Sequence, residues 1–380
     1  MRPYALYLHV PWCRRVCPYC DFNVFATAAI PEAEDVPAYR AELAAWTARP
    51  QWAGRPIGSL SLGGGTPSLL SPDAVAGLID AARRHGLPDD AEIALEANPG
   101  TLDPGGLTAL RAAGVSRLSL GAQSFQPAVL RTLGRDHGPD DTARAVAAAR
   151  AAGVPNLSLD LIFAVPGSSL ADWADDLAQA LALAPEQVSA YTLTWEPRTP
   201  FDLWRRKGRL APVDDDLECA MAELADERLT AAGLRRYEIS SWARPGFESR
   251  HNQSYWDGSD YLGIGPGAHS FHAGPPARRW WNLRRPDRWR EAVHASGVAI
   301  DGEERLGTEQ ARADFVITGL RRIAGADAGE FERRFGLALR AAFPQLEALA
   351  ADGLVVLTGD RVRLTARGLR FADTVGALLV

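Results

Sequence analysis

The chain has 380 residues, enough for two domains or for one large α/β domain with an appendage. Its 47% hydrophobic and 23% charged residues describe an ordinary globular protein, and a net charge of −6 argues against a dedicated nucleic-acid binder. Lys207 is the only lysine, which removes Schiff-base chemistry and a Walker-type phosphate lysine from the rest of the chain.

In chain order, the apolar run Tyr4 to Val10 reads as a strand and leads into a cysteine-bearing loop. Ile30 to Pro37 reads as a proline-containing connection and Ala38 to Arg49 as a helix. The strand Ser59–Leu62 runs straight into Gly63-Gly64-Gly65-Thr66-Pro67. The next helix starts at Ser71-Pro72, with proline at its first position. Further strands are expected at Ile93–Ala97, Arg117–Leu120, Leu157–Ile162, Val188–Leu193 and Tyr237–Ser241. Helices around 107–113, 140–152, 170–183 and 214–232 separate them. Strand–helix alternation repeated six or seven times implies parallel strands joined by right-handed crossovers. The polar and glycine-rich residues fall just after each strand, the edge where barrel active sites form, and a flat doubly wound sheet would give a similar pattern.

From Arg244 the pattern turns aromatic and rich in Gly and Pro. From Asp301 it becomes a small module of helices (308–322, 327–335, 337–351) and two short strands across Gly359-Asp360, the outline of a winged helix. The expected division is therefore 1–243, 244–300 and 301–380. A DNA-reading winged helix is the obvious alternative, but the helix 337–351 is mostly apolar and the chain acidic, so no nucleic-acid partner is expected. No charged leader precedes the first strand and no apolar run approaches about 18 residues. Neither a signal peptide nor a membrane span is therefore expected. The cysteine usage fits a reducing cytoplasm.

Three of the four cysteines, Cys13, Cys17 and Cys20, are spaced C-x3-C-x2-C in one loop; Cys219 lies far away in an acidic, alanine-rich helix. A full iron–sulfur site or a closed zinc site normally takes four protein ligands, and this loop offers three. One reading is a zinc knuckle completed by His9. The other is a cubane [4Fe-4S] cluster with one iron left open for a chelating cofactor.

The loop resembles the cluster loop of the radical SAM superfamily. The wider run, Tyr7-x-His9-x-Pro11-Trp12-Cys13 and Cys17-Pro18-Tyr19-Cys20-Asp21-Phe22-Asn23, resembles the branch that holds oxygen-independent coproporphyrinogen III oxidases and HemW-type heme chaperones. The resemblance covers nearly the whole chain. It implies a partial, open (β/α)6 barrel with a C-terminal winged-helix-like lid, a [4Fe-4S] cluster on Cys13, Cys17 and Cys20, and S-adenosylmethionine (SAM) on its open iron. It further implies SAM contacts from Tyr7, Gly64, Gly65, Thr66, Glu96, Gln123, Arg135 and Asp160. Glycines suit a close approach of backbone to ligand, carboxylates suit ribose or amino groups, and an arginine suits the methionine carboxylate.

His251-Asn252-Gln253-Ser254-Tyr255-Trp256 matches the H-N-x-x-Y-W pattern that the resemblance associates with heme binding, which implicates His251, Asn252, Tyr255 and Trp256. Histidine is a common axial ligand of heme iron. A buried hexapeptide whose histidine satisfies a core hydrogen bond is the alternative, and His269 and His272 are competing ligand candidates. Arg278 to Arg285 holds guanidinium groups suited to porphyrin propionates. The oxidase members carry a further cysteine two residues after the third; here that position is Phe22. The resemblance thus favours a heme chaperone over an oxidase. Its partners would be heme and apo-hemoproteins, membrane-associated respiratory proteins among them.

Overall fold

The structure, a computed structural model, describes residues 2–380. Seven strands and their flanks build one twelve-stranded sheet. Its strands are β1 (Tyr4–Val10), β2 (Ile57–Gly64), β3 (Glu92–Ala97), β4 (Arg117–Gln123), β5 (Asn156–Phe163), β6 (Gln187–Thr192), β7 (Arg235–Glu238), β8 (Ser241–Ala243), β9 (Tyr261–Ile264), β10 (His269–His272), β11 (Arg278–Asn282) and β12 (Ile300–Arg305). The spatial order is β12-β11-β10-β9-β1-β2-β3-β4-β5-β6-β8-β7. The sheet is open, with β12 and β7 as edges, so the barrel is partial.

The strands from β9 through β1 to β6 are all parallel. Alternate residues along them, such as Leu118, Leu120, Leu157, Leu159 and Leu161, are buried in the core, while Ser119 and Asp160 between them line a cavity. The crossover helices start where the sequence marks them. Ser71 Oγ accepts from the Ala74 N–H at 3.2 Å, and Ser169 and Asp172 form a capping box.

Four expectations change. The helix expected from Ala38 runs Glu32–Thr47 and contains Pro37. Its first turn is tied down by tertiary partners: Glu32 accepts from the Ser71 hydroxyl at 2.7 Å, and Asp35 accepts from Trp12 Nε1 at 2.6 Å and pairs with Arg290. These anchors hold a turn that a mid-helix proline disfavours by itself. The strand expected at 237–241 is two short antiparallel strands, β7 and β8, that close the edge beside β6. The helix expected over 337–351 breaks into Leu339–Ala342 and Leu346–Ala351 around Pro344.

The segment 244–300, expected as a connection, extends the main sheet. Its strand β9 lies parallel to β1, and β10 and β11 follow antiparallel.

The C-terminal module has its own core of Phe315, Val316, Phe331, Leu346, Val362 and Val375. Its sheet is β13 (Ala326–Asp327), β14 (Val355–Leu357) and β15 (Arg361–Leu364), in the order β13-β15-β14. The module docks by backbone bonds, Ile239 N–H to Arg321 O and Ile323 N–H to Tyr237 O, both 3.0 Å. No helix among the described residues is long and apolar enough to cross a membrane.

Candidate functional site: two joined cavities at the strand ends

The cysteine loop leaves the C-terminal end of β1 and folds back over the sheet. The pair Trp12–Cys13 bridges in parallel to Phe25–Ala26, and Phe25 N–H donates to Pro11 O at 2.7 Å. Asn23 fastens the far end of the loop by donating from Nδ2 to the carbonyls of Pro266 (2.9 Å) and Arg284 (2.8 Å). The three cysteines are free and half-exposed, and all line one cavity of about 430 Å³. Cys219 is exposed on the helix Asp215–Ala231.

The same cavity is lined by Gly64, Gly65, Thr66, Glu96, Gln123, Arg135 and Asp160, brought together from five successive chain segments. Thr66 Oγ1 donates to Cys13 Sγ at 3.4 Å and Arg135 Nη1 to Cys17 Sγ at 3.6 Å. Arg135 also donates from Nη2 to Gly121 O at 3.0 Å, while its buried Nε has no partner. Gln123 sits at the end of β4 with φ of +65°, a left-handed conformation that costs a side-chain-bearing residue energy. Burial raises the Cys13 thiol and carries Cys20 up to about 11, so a metal must displace protons to bind here.

Glu96 looks into the cavity and accepts from the Gly64 N–H at 3.0 Å. Burial pushes its carboxyl up to about 7, and Asp160 nearby pushes in the same direction. Asp160 is itself raised by burial, against the bond it accepts from Ser119 Oγ at 2.9 Å. The glycines are required first by the chain's own packing. A Cβ on Gly64, whose φ is +111°, would meet the His9 ring at 2.5 Å, and one on Gly65 would meet the Trp12 carbonyl at 2.6 Å.

Among the described residues, no group of three His, Cys, Asp or Glu side chains is close enough to hold a single metal ion. His9 has both ring nitrogens engaged. Nε2 lies 2.9 Å from the Asn23 carbonyl, which only accepts, so Nε2 donates and Nδ1 accepts from the Tyr7 hydroxyl at 2.9 Å. Neither nitrogen is left for a zinc ion. Three free thiols on one cavity with no fourth protein ligand suit a cubane that keeps one iron open, and the unpartnered Arg135 Nε suits an anionic group beside it.

A second cavity of about 700 Å³ adjoins the first and shares Asp21, Phe22, Gly64 and Glu96 with it. Tyr7 lines this one instead, together with Tyr255, Tyr261, His269, Trp281 and Arg284.

The H-N-x-x-Y-W segment forms the short helix Arg250–Trp256. Ser249 caps it, and the buried Glu92 carboxylate accepts from the N–H groups of Arg250 (3.1 Å) and His251 (2.9 Å). Its four candidate residues diverge. His251 is 2% exposed, with Nδ1 2.9 Å from Ser59 Oγ and Nε2 2.8 Å from the Tyr255 hydroxyl. Burial drives its imidazole down to about 3, so it is neutral. Tyr255 faces the second cavity. Trp256 lies under the Arg321 guanidinium of the C-terminal module, 4.5 Å from its ring centre. Asn252 lines neither cavity.

Sequence reasoning missed Ser119 and Tyr191, which also line the first cavity. Both lie on parallel strands next to Glu96 and Asp160, and alternation along β4 and β6 was the available signal.

A radical SAM superfamily model matches residues 7–180, and a HemN C-terminal domain model matches residues 308–371. The chain is 40% identical to the heme chaperone HemW of Mycobacterium tuberculosis over 98% of this chain and 94% of that one. It is 37% identical to the heme chaperone HemW of Escherichia coli K12 over 98% and 97%. The chain belongs to the HemW family of radical SAM proteins. Among solved structures, the Escherichia coli radical SAM enzyme coproporphyrinogen III oxidase (HemN) superposes with a TM-score of 0.84 at 24% identity, covering 100% of this chain and 90% of that one. That likeness shows a shared fold. The radical SAM domain implies SAM and a [4Fe-4S] cluster.

Proposed function

We propose that this chain is a cytoplasmic heme chaperone, which binds heme and passes it to apo-hemoproteins, those of the respiratory chain among them. Cys13, Cys17 and Cys20 would hold the cluster. Gly64, Gly65, Thr66, Glu96, Gln123, Arg135 and Asp160 would hold SAM, with Tyr7 at the passage to the second cavity. Bound there, cluster and SAM supply one-electron chemistry. The chain's own part is to bring Arg135 to the anionic end of the cofactor, to set the Glu96 and Asp160 carboxyls on its polar groups, and to exclude water with Tyr19 and Ile162.

The observation that carries the reading is Phe22. The oxidase branch has a cysteine at this position; here a phenyl ring, 63% exposed, stands where the two cavities meet. It offers apolar surface to a porphyrin and no thiol to a reaction. The relatives named heme chaperone support the same reading along the whole chain. Of the heme motif, Tyr255 would touch the ligand, while His251, Asn252 and Trp256 would act through the helix that carries it.

Anaerobic reconstitution, followed by heme titration and a coproporphyrinogen turnover assay on the same sample, tests this. Heme binding without decarboxylation is expected. Steady decarboxylation would make the oxidase reading correct.

A further inference from the structure

Among the described residues, the second cavity contains one imidazole whose nitrogens no protein group engages. Of the seven histidines, His9 and His251 have both ring nitrogens hydrogen-bonded. His272 is tied through Nδ1 to Asp260 at 2.9 Å and packs on Trp52. His137 bonds to the Ala122 carbonyl at 3.0 Å and His85 to Thr47 at 3.0 Å, and neither lines a cavity described above; nor does His294, on the helix Pro286–Ser296. His269 is exposed on β10, lines the second cavity and makes no side-chain hydrogen bond.

Its register explains its orientation. His269 stands directly opposite Trp281 on the antiparallel strand β11, and the two rings stack with centroids 5.9 Å apart and planes 27° from parallel. Indole packing on one side holds the imidazole upright at the cavity wall. Tyr255 and Tyr261, packed edge to face at 4.8 Å, and Phe22 supply further aromatic wall. Arg284 lines the rim; only its Nε is engaged, with Asn23 Oδ1 at 3.3 Å, which leaves the two terminal nitrogens free. A cavity of about 700 Å³ with aromatic rings, one free imidazole and one free guanidinium in its lining suits an iron porphyrin with carboxylate side chains; Asp21, Glu96 and Asp301 line it as well, so Arg284 is the lining residue that can pair with a propionate.

We propose that heme binds in this second cavity, with His269 as the imidazole ligand of the iron and Arg284 as a partner of one propionate. The inference rests on the heme-binding reading above and moves the ligand away from His251. His251 becomes a positioning residue: its hydrogen bond to the Tyr255 hydroxyl aims the phenol into the cavity. Because the two cavities share Phe22, Asp21 and Glu96, the heme would lie against the wall of the cluster site.

The test is a titration of the full-length reconstituted protein with ferric heme, read by absorption and by electron paramagnetic resonance. The wild type should show an imidazole-ligated spectrum. His269→Ala should lose that signature, and His269→Gly should regain it when free imidazole is added, which separates ligation from folding. Arg284→Ala should weaken binding with the spectrum unchanged. His251→Ala should weaken binding and keep the imidazole signature. Retention of that signature in His269→Ala, or its loss in His251→Ala alone, would overturn the assignment and leave heme binding itself intact. A wild-type protein that takes up no heme would overturn the chaperone reading as well.

Discussion

The cysteine loop and the H-N-x-x-Y-W helix are both compact motifs of a few residues, yet they meet the cavities in opposite ways. The loop is irregular and lies across the strand ends, so Cys13, Cys17 and Cys20 all reach one space. The helix turns its residues by about 100° per step, so its members point apart. His251 goes to Ser59 in the core, Tyr255 to the second cavity and Trp256 to the C-terminal module. A linear pattern on a loop can be a site; the same density of chemistry on a helix is divided between a site and its support.

The largest expected effect sharpens the loop side of this contrast. Cys13→Ala, Cys17→Ala or Cys20→Ala should each abolish cluster uptake, while Cys219→Ala, at an exposed position away from the loop, should not. Iron and sulfide assays after anaerobic reconstitution decide it. Iron uptake that survives loss of any of the three would separate that cysteine from the site.

Gly64 tests how tightly the loop is seated on β2. Gly64→Ala puts a Cβ into the His9 ring in a left-handed conformation, and should destabilise the fold by about 1–3 kcal/mol or more. Gly359→Ala, at a turn with open space around it, should be close to silent in the same denaturant titration.

Glu96 titrates near 7 in the fold against 4.5 for a free carboxyl, so its proton favours folding. That contribution is complete below about pH 4.5 and is lost as pH rises through about 7. Glu96→Gln should therefore stabilise the protein at about pH 8, by about 1–3 kcal/mol since the carboxyl opens onto the cavity, and change little at about pH 4.5. Chemical denaturation at the two pH values reads the difference; an equal gain at both would remove the titration argument.

Tyr255→Phe probes the helix side. It strips the hydroxyl that His251 Nε2 meets at 2.8 Å, leaves a buried ring nitrogen without a partner, and should cost about 1–2 kcal/mol. The smallest effect belongs to the surface. Glu223→Ala, which breaks the exposed pair with Arg370 between the barrel and the C-terminal module, should change stability by less than about 1 kcal/mol.

Much was legible beforehand because it depends on local rules. The strand–helix alternation, the helix start at Ser71-Pro72 and the polar residues after each strand all follow from backbone geometry and short-range hydrogen bonding. Less legible was the first turn of the helix ahead of Pro37, where Glu32 and Asp35 find partners at Ser71, Trp12 and Arg290. The extension of the sheet through β9 to β12 was also hidden, because pairing between β1 and β9 joins residues more than 250 apart.

Residue type and spacing alone put three thiols in one loop, glycines behind a strand and carboxylates at successive strand ends, and the resemblance added the meaning of Phe22, which stands where the oxidase branch carries a further thiol. These are properties of residue type and spacing, and a parallel fold carries them to one edge. Only the tertiary structure decided which side chains remain free for a ligand. The nitrogens of His9 are taken by Tyr7 and Asn23 and those of His251 by Ser59 and Tyr255, while those of His269 are not. Whether a polar atom is available depends on what the fold brings to within about 3 Å of it, and no spacing along a chain encodes that.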